Sequence, residues 1–167
     1  PLSRLGPEVY NYVLTDSSYI EGKWCYNILF YPRRKGELTF KGDFWVNDTT
    51  FAIKEIQMYA NKNANVNWVK DIYIEQEFEV VSDSVFLLKR DYIMTDFALN
   101  RKDASKGVYG KRTTLYDNHV FDVRRPEEFY KEQVQDNPEI YNRPDDFWAR
   151  SRQEDLTENE IGIYKML

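Results

Sequence analysis

Three sets of side chains in this sequence carry the atoms that catalysis would need: the single histidine His119, the single cysteine Cys25, and the run Glu75, Glu77, Glu79. A Ser/His/Asp relay would have to use His119. That residue stands in Asp117-Asn118-His119-Val120, a turn-like stretch, and reads as a solvated loop histidine. Cys25 rules out an internal disulfide and any multi-cysteine metal site. Within Trp24-Cys25-Tyr26 it reads as a small buried or edge residue of a strand, not a reactive thiol. The glutamates alternate along one strand at ~7 Å, inside the range of glycosidase carboxylate pairs. Three outward glutamates on a half-buried strand nevertheless describe a solvated face, without the apolar pocket that raises a catalytic acid's pKa. Asp43, Asp48, Asp71, Asp83, Asp91 and Asp96 are scattered singly, with no Asp-x-Asp-x-Asp-Gly calcium loop. Seven glycines in the whole chain give little material for a phosphate loop. The sequence therefore predicts no enzyme, no metal and no cofactor, and a hydrolase is the remotest reading.

Binding chemistry is better represented. Arg33-Arg34-Lys35-Gly36 is the one compact basic feature; as a hairpin loop it is either solvated or a contact for lipid phosphates or an acidic partner. The aromatic residues admit two readings. Tyr10, Tyr12, Trp24, Tyr26, Phe30, Phe40, Phe44, Trp45 and Phe51 either fill a core or, on a bent sheet with helices at one side, line an apolar concavity for an acyl chain. Ile28, Phe30, Phe44, Ile72 and Ile74 are the candidate lining residues, and Arg33, Arg34 and Lys35 the candidate lipid or partner contacts.

The elements that position these residues follow a period of two from Glu8 to about Arg125. Ile72, Ile74, Phe78 and Val80 share one face of a strand, and Tyr73, Glu75, Glu77 and Glu79 the other, which predicts one dry and one wet face. The strand Trp24 to Tyr31 is apolar on both faces, so its second face should be covered. Leu38, Phe40, Phe44 and Val46 line one side of the next strand, with Gly42 permitting a bulge or bend. Glu21-Gly22 and Asn47-Asp48 have hairpin-turn chemistry. In Thr50 to Ala60 the apolar parity slips from Phe51 and Ile53 to Ile56 and Met58, which predicts a bulge near Lys54-Glu55. Asn61 to Asn67 is a loop or one helical turn. Ser82-Asp83-Ser84 turns into a strand over Val85 to Met94, and weaker strands follow at Val108 to Tyr116 and His119 to Val123. Short helices then open at Pro126-Glu127-Glu128, running to about Gln135, and at Pro144-Asp145-Asp146. Thr157 to Glu160 is a capping box for a third. The expected fold is mainly β, a bent antiparallel sheet or half-barrel over residues 1–125, with short C-terminal helices over 126–167.

Composition agrees with a folded chain. At 167 residues it fits one domain with a true core, and 13 Tyr, 10 Phe and 4 Trp exceed what disordered chains carry, despite a mean hydropathy of -0.70. The net charge of -5 does not attract polyphosphate, so nucleic acid is not an expected partner. No apolar run reaches the ~18 residues of a spanning helix, and the start at Pro1 reads as that of a piece of a longer protein.

The runs 26–34, 38–48 (with Gly42-Asp43-Phe44-Trp45-Val46-Asn47-Asp48) and Phe51-Ala52-Ile53-Lys54 resemble an envelope family of Bacteroidota with no assigned activity, domain-of-unknown-function family 5686 (DUF5686). Further similarity lies in 64–71, in Trp148 and Arg152, and in Leu156-Thr157-Glu158-Asn159-Glu160. The resemblance implies a periplasmic segment of an exported protein, between a carboxypeptidase-regulatory-like β-sandwich and an outer-membrane barrel. Its implied partners are the neighbouring domains of the same longer chain, with lipid or lipoprotein as further candidates. More distantly, the strand pattern is similar to the half-barrels of lipoprotein-sorting proteins. The two functions this implies are a binding or architectural module and a periplasmic carrier of an apolar ligand.

Overall fold

The computed structural model describes residues 1–60, 68–82, 84–98, 107–131, 139, 142–152 and 154–166; the Asn-rich stretch 61–67, Asp83 and the end of the helix expected to reach Gln135 lie outside them. The chain divides into two compact units, Pro1–Asn118 and His119–Leu167.

The first unit is one seven-stranded antiparallel meander in sequence order, open at both edges. A single helical turn, α1 (Gly6–Val9), leads into β1 (Tyr10–Ile20), followed by β2 (Lys23–Pro32), β3 (Phe40–Asn47), β4 (Ile53–Ala60), β5 (Val69–Ser82), β6 (Val85–Ala98) and β7 (Gly107–Leu115). Glu21 and Gly22 make the β1–β2 turn with φ of 47° and 76°, the two positive values that a twist-matched two-residue hairpin requires. The β3–β4 connection is longer. The buried Asn47 side chain organises it, donating to the Trp24 carbonyl at 3.0 Å and accepting from the Thr50 amide at 3.0 Å.

Directly paired residues of antiparallel strands share a face. One row reads Leu14, Ile28, Phe44, Ile56, Gln76, Asp91, Thr114, and the next Tyr12, Phe30, Gly42, Met58, Ile74, Ile93, Arg112. This face holds the core: Tyr10, Phe30, Phe44 and Ile56 are buried, with Val9, Ile28, Phe40, Val46, Ile53, Met58 and Phe78 packed against them. Phe30 is fully inaccessible, edge-on to Tyr10 at 5.6 Å and 6.0 Å from Phe44.

The bulge predicted near Lys54 is present: Trp45 pairs with Glu55 and Val46 with Ile53, leaving Lys54 as the extra residue. Several expectations need correction. Leu38 and Phe51 are not strand residues; both are 77% exposed, and Phe51 has φ 56°, which no strand tolerates. His119 to Val123 forms no strand, since Asn118 just before it and Asp122 within it, at φ 53° and 60°, break extension. Gly42 sits in unbroken register without a bulge; it is needed because β3 and β4 approach so closely there that a Cβ would stand 1.8 Å from the Gln57 carbonyl oxygen. β5 is half-buried on both faces over most of its length rather than dry on one and wet on the other.

In the second unit a 3-10 turn covers Glu127–Tyr130 after Pro126. α2 (Asp145–Ser151) follows Pro144, and α3 (Glu158–Tyr164) starts from the predicted capping box between Thr157 and Glu160. The Arg152 guanidinium lies over the Tyr164 ring at 5.0 Å, tying the end of α2 to α3.

Candidate functional site

The face opposite the core is built from the other parity. Its rows read Leu29, Asp43, Gln57, Glu75, Tyr92, Thr113 and, one step along, Lys41, Tyr59, Tyr73, Met94, Lys111. Tyr31, the next odd residue of β2, stands on this face beside Lys41. The tyrosines contact one another across strands: Tyr59 and Tyr73 have ring centroids 4.7 Å apart, and Tyr73 and Tyr92 6.0 Å.

Between β2 and β5 this face opens into a groove of about 590 Å³, lined by Leu29, Tyr31, Lys41, Asp43, Tyr59 and Asp71. Tyr31 and Tyr59 are 42% and 39% exposed, so its aromatic walls stand in water. Asp43 is fixed by the Asn27 side-chain amide at 2.9 Å, and Asn27 in turn receives the hydroxyl of Thr15, the extra residue of a bulge in β1. The cover expected over the second face of β2 is present at one end only: Cys25 and its partner Asn47 on that face are buried, whereas Leu29 and Tyr31 are exposed. Sequence reading singled out neither Lys41 nor Tyr59, and named Asp71 only among the scattered aspartates, because the groove exists only once β2 to β5 are in register.

The residues that were singled out fall in different places. Phe30 and Phe44 are inside the core, Ile28 packs against it, and Ile72 and Ile74 are half-buried further along the same face. Toward β7 that face turns polar, where buried Asp91 accepts from Gln76 at 2.9 Å and pairs with Arg112 at 3.0 Å. Arg33 is exposed but anchored, donating from Nε to the Tyr10 carbonyl at 3.0 Å. Arg34 and Lys35 are exposed in the β2–β3 loop, Arg34 reaching Glu37 at 3.5 Å, with the bare Leu38 side chain beside them. This loop lies at the groove end of the hairpin.

Several of the candidate catalytic groups are engaged by their neighbours. Glu75 accepts from the Tyr73 hydroxyl and from Arg90 at 2.7 Å, and Arg90 also reaches Glu77 at 3.4 Å. Burial, then the bond to Glu75, drives the Tyr73 hydroxyl far above the usual tyrosine range. The Cys25 thiol is buried and lies 3.6 Å from the Lys23 carbonyl; burial raises its pKa against the opposing pull of Lys54. Lys54 is 6% exposed, its ammonium bonded to the Glu21 carboxylate and the Phe78 carbonyl. Among the described residues no group of three or more His, Cys, Asp or Glu is placed to hold a metal ion, and no helix is long and apolar enough to cross a membrane, which says nothing about strands that might form a barrel.

A family model described as Family of unknown function (DUF5686) matches residues 1–119, the whole of the sheet. The chain belongs to that family. No curated protein and no solved structure matches the chain. In this DUF5686 chain the second unit, which apart from His119 lies beyond the matched span, has its own cleft of about 710 Å³ between α2 and α3, lined by Trp148, Arg152, Leu156, Ile161, Tyr164 and Lys165. Trp148, Arg152 and Leu156 are thereby brought together.

Proposed function

We propose that this DUF5686 chain is a non-catalytic binding or architectural module of a cell-envelope protein, periplasmic and adjacent to an outer-membrane barrel. Its working surface is the β2–β3 loop and the groove beneath it. The observation that carries this reading is the division of labour between the faces of the sheet. Phe30, Phe44 and Ile56 complete a core on one side, while Leu29, Tyr31 and Tyr59 stay in water on the other. Exposed aromatic and aliphatic side chains gathered in a groove, here around Lys41, Asp43 and Asp71, are a feature of interaction sites. Two further facts support a non-catalytic role: Glu75 and Glu77 are held by Arg90, and the Cys25 thiol is buried. The envelope setting rests on the family that the motifs resemble, and the partners it implies are the neighbouring domains of the longer chain.

The alternative, a carrier of an apolar ligand lined by Ile28, Phe30, Phe44, Ile72 and Ile74, would require the ligand to displace a packed core at Phe30 and Phe44, so it is the weaker reading. The two separate by photo-crosslinking in the full-length protein in its native membrane, with a benzophenone residue at Leu38 or at Ile72. Crosslinks from Leu38 to another domain of the same chain or to lipid are expected. Lipid adducts from Ile72 with none from Leu38 would overturn the proposal in favour of the carrier.

A further inference from the structure

We propose that the groove between β2 and β5 binds a neutral glycan, seating one pyranose ring between Tyr31 and Tyr59. This deepens the binding-module reading and rests on it. Strands lie ~4.8 Å apart, so Tyr31 on β2 and Tyr59 on β4, flanking β3, start from positions ~10 Å apart. A ring stacked on both walls needs contact distances of ~3.5–4 Å on each side, a total of ~7–8 Å, which two tyrosines at that separation reach by tilting inward. The volume of about 590 Å³ falls within the range of small-molecule sites.

The floor decides the ligand class. Lys41, a donor only, stands between the walls; Asp43 and Asp71, acceptors only when ionised, flank it. An acyl chain laid here would strip water from three ionic groups and return no hydrogen bonds. A polyanion meets two carboxylates against one ammonium, in a chain of net charge -5. A polycation meets Lys41 at the centre. Sugar hydroxyls both donate and accept, so they satisfy the lysine and Asp43 together. The C–H faces of the ring match the apolar faces of tyrosine. Asp43 is already oriented by Asn27, so its free oxygen is presented without further ordering.

The test is an NMR titration of the whole chain with cellohexaose, chitohexaose and maltohexaose, and separately with laurate and with inorganic phosphate. At least one oligosaccharide should shift the resonances of Leu29, Tyr31, Lys41 and Tyr59. Tyr31→Ala and Tyr59→Ala should each weaken binding roughly tenfold, and the Tyr→Phe counterparts should stay within about threefold, since the ring and not the hydroxyl makes the wall. Shift mapping on the wild type stands even if an alanine variant unfolds. The proposal is overturned by no oligosaccharide binding up to about 10 mM, which corresponds to under ~3 kcal/mol. It is equally overturned by binding that survives both alanine changes, or by laurate or phosphate shifting those resonances instead. Crosslinking from Leu38 reports on the module reading independently, so the two can fail separately.

Discussion

Gly42→Ala is the sharpest probe of the sheet. The added methyl would stand 1.8 Å from the Gln57 carbonyl oxygen, 2.9 Å from the Gln57 carbonyl carbon and 3.1 Å from the Met58 Cα. All three are backbone atoms, so no side chain can rotate away. Restoring ordinary contact requires β3 and β4 to part locally by more than an ångström, in the row that also holds Phe30 and Met58. Losing one or two ladder hydrogen bonds costs ~1 kcal/mol each, and forced expansion of a packed region adds ~1–3 kcal/mol, for an expected loss of about 3 kcal/mol. Urea unfolding followed by circular dichroism measures it, the midpoint falling with little change in slope. Gly36→Ala is the control: φ is +89° with nothing within 4 Å of the new methyl, so only backbone strain of ~1 kcal/mol is expected. A Gly42→Ala protein within ~0.5 kcal/mol of wild type would refute the close-approach argument, because that is the range of inert surface changes.

Two further predictions use the buried polar groups. Glu21→Leu strands the Lys54 ammonium at 6% exposure without its counter-charge, whereas Lys54→Met leaves Glu21, 53% exposed, free to hydrate. The glutamate change should therefore cost more, ~3–5 kcal/mol against ~1–3, and urea midpoints in the reverse order would defeat this account. The raised Tyr73 pKa means the unfolded chain gives up that proton first, near pH 10, so the contribution is intact below pH 10 and is lost as pH rises above it. Tyr73→Phe should flatten the alkaline decline in thermal midpoint; an unchanged decline would show that Tyr73 is not its source.

How much was legible in the sequence depended on whether the signal was local. Glu21-Gly22 announced its hairpin because only certain residues accept positive φ twice in succession. The parity slip around Lys54 announced the bulge, and Thr157 with Glu160 announced the cap of α3. Each is contained within a few residues. The misreadings came from the same rule applied past the ends of strands: Leu38 and Phe51 fit the alternation but lie in connections where no partner strand holds them. Gly42 was read for its own flexibility, when its cause lies in Gln57 across the sheet. The candidate site was least legible. Ile28, Phe30, Phe44, Ile72 and Ile74 were correctly grouped on one face, but hydrophobicity marks a core and a ligand pocket alike. The groove needs Tyr31, Lys41, Tyr59 and Asp71, from four strands whose register no short-range pattern specifies.

The residue chosen for the second face is itself informative. A meander of amphipathic strands could have placed lysine and glutamate throughout that face and stayed soluble; a permanently buried face would carry valine and isoleucine. This chain instead sets Tyr31, Tyr59, Tyr73 and Tyr92 there, spaced with Asp43, Gln57, Glu75 and Arg90, and holds the charged members to one another and to the tyrosines. Tyrosine tolerates water through its hydroxyl and gives up ring surface when covered, at little conformational cost because only two torsions are fixed. The Lys54 bulge serves the same arrangement. By ending the strict alternation in β4 it buries one cation and fastens it to the β1–β2 turn and to β5, so these strands are tied at that end. A sheet fixed in this way can expose an aromatic surface without using that surface for its own stability, which is the condition for a partner to occupy it reversibly.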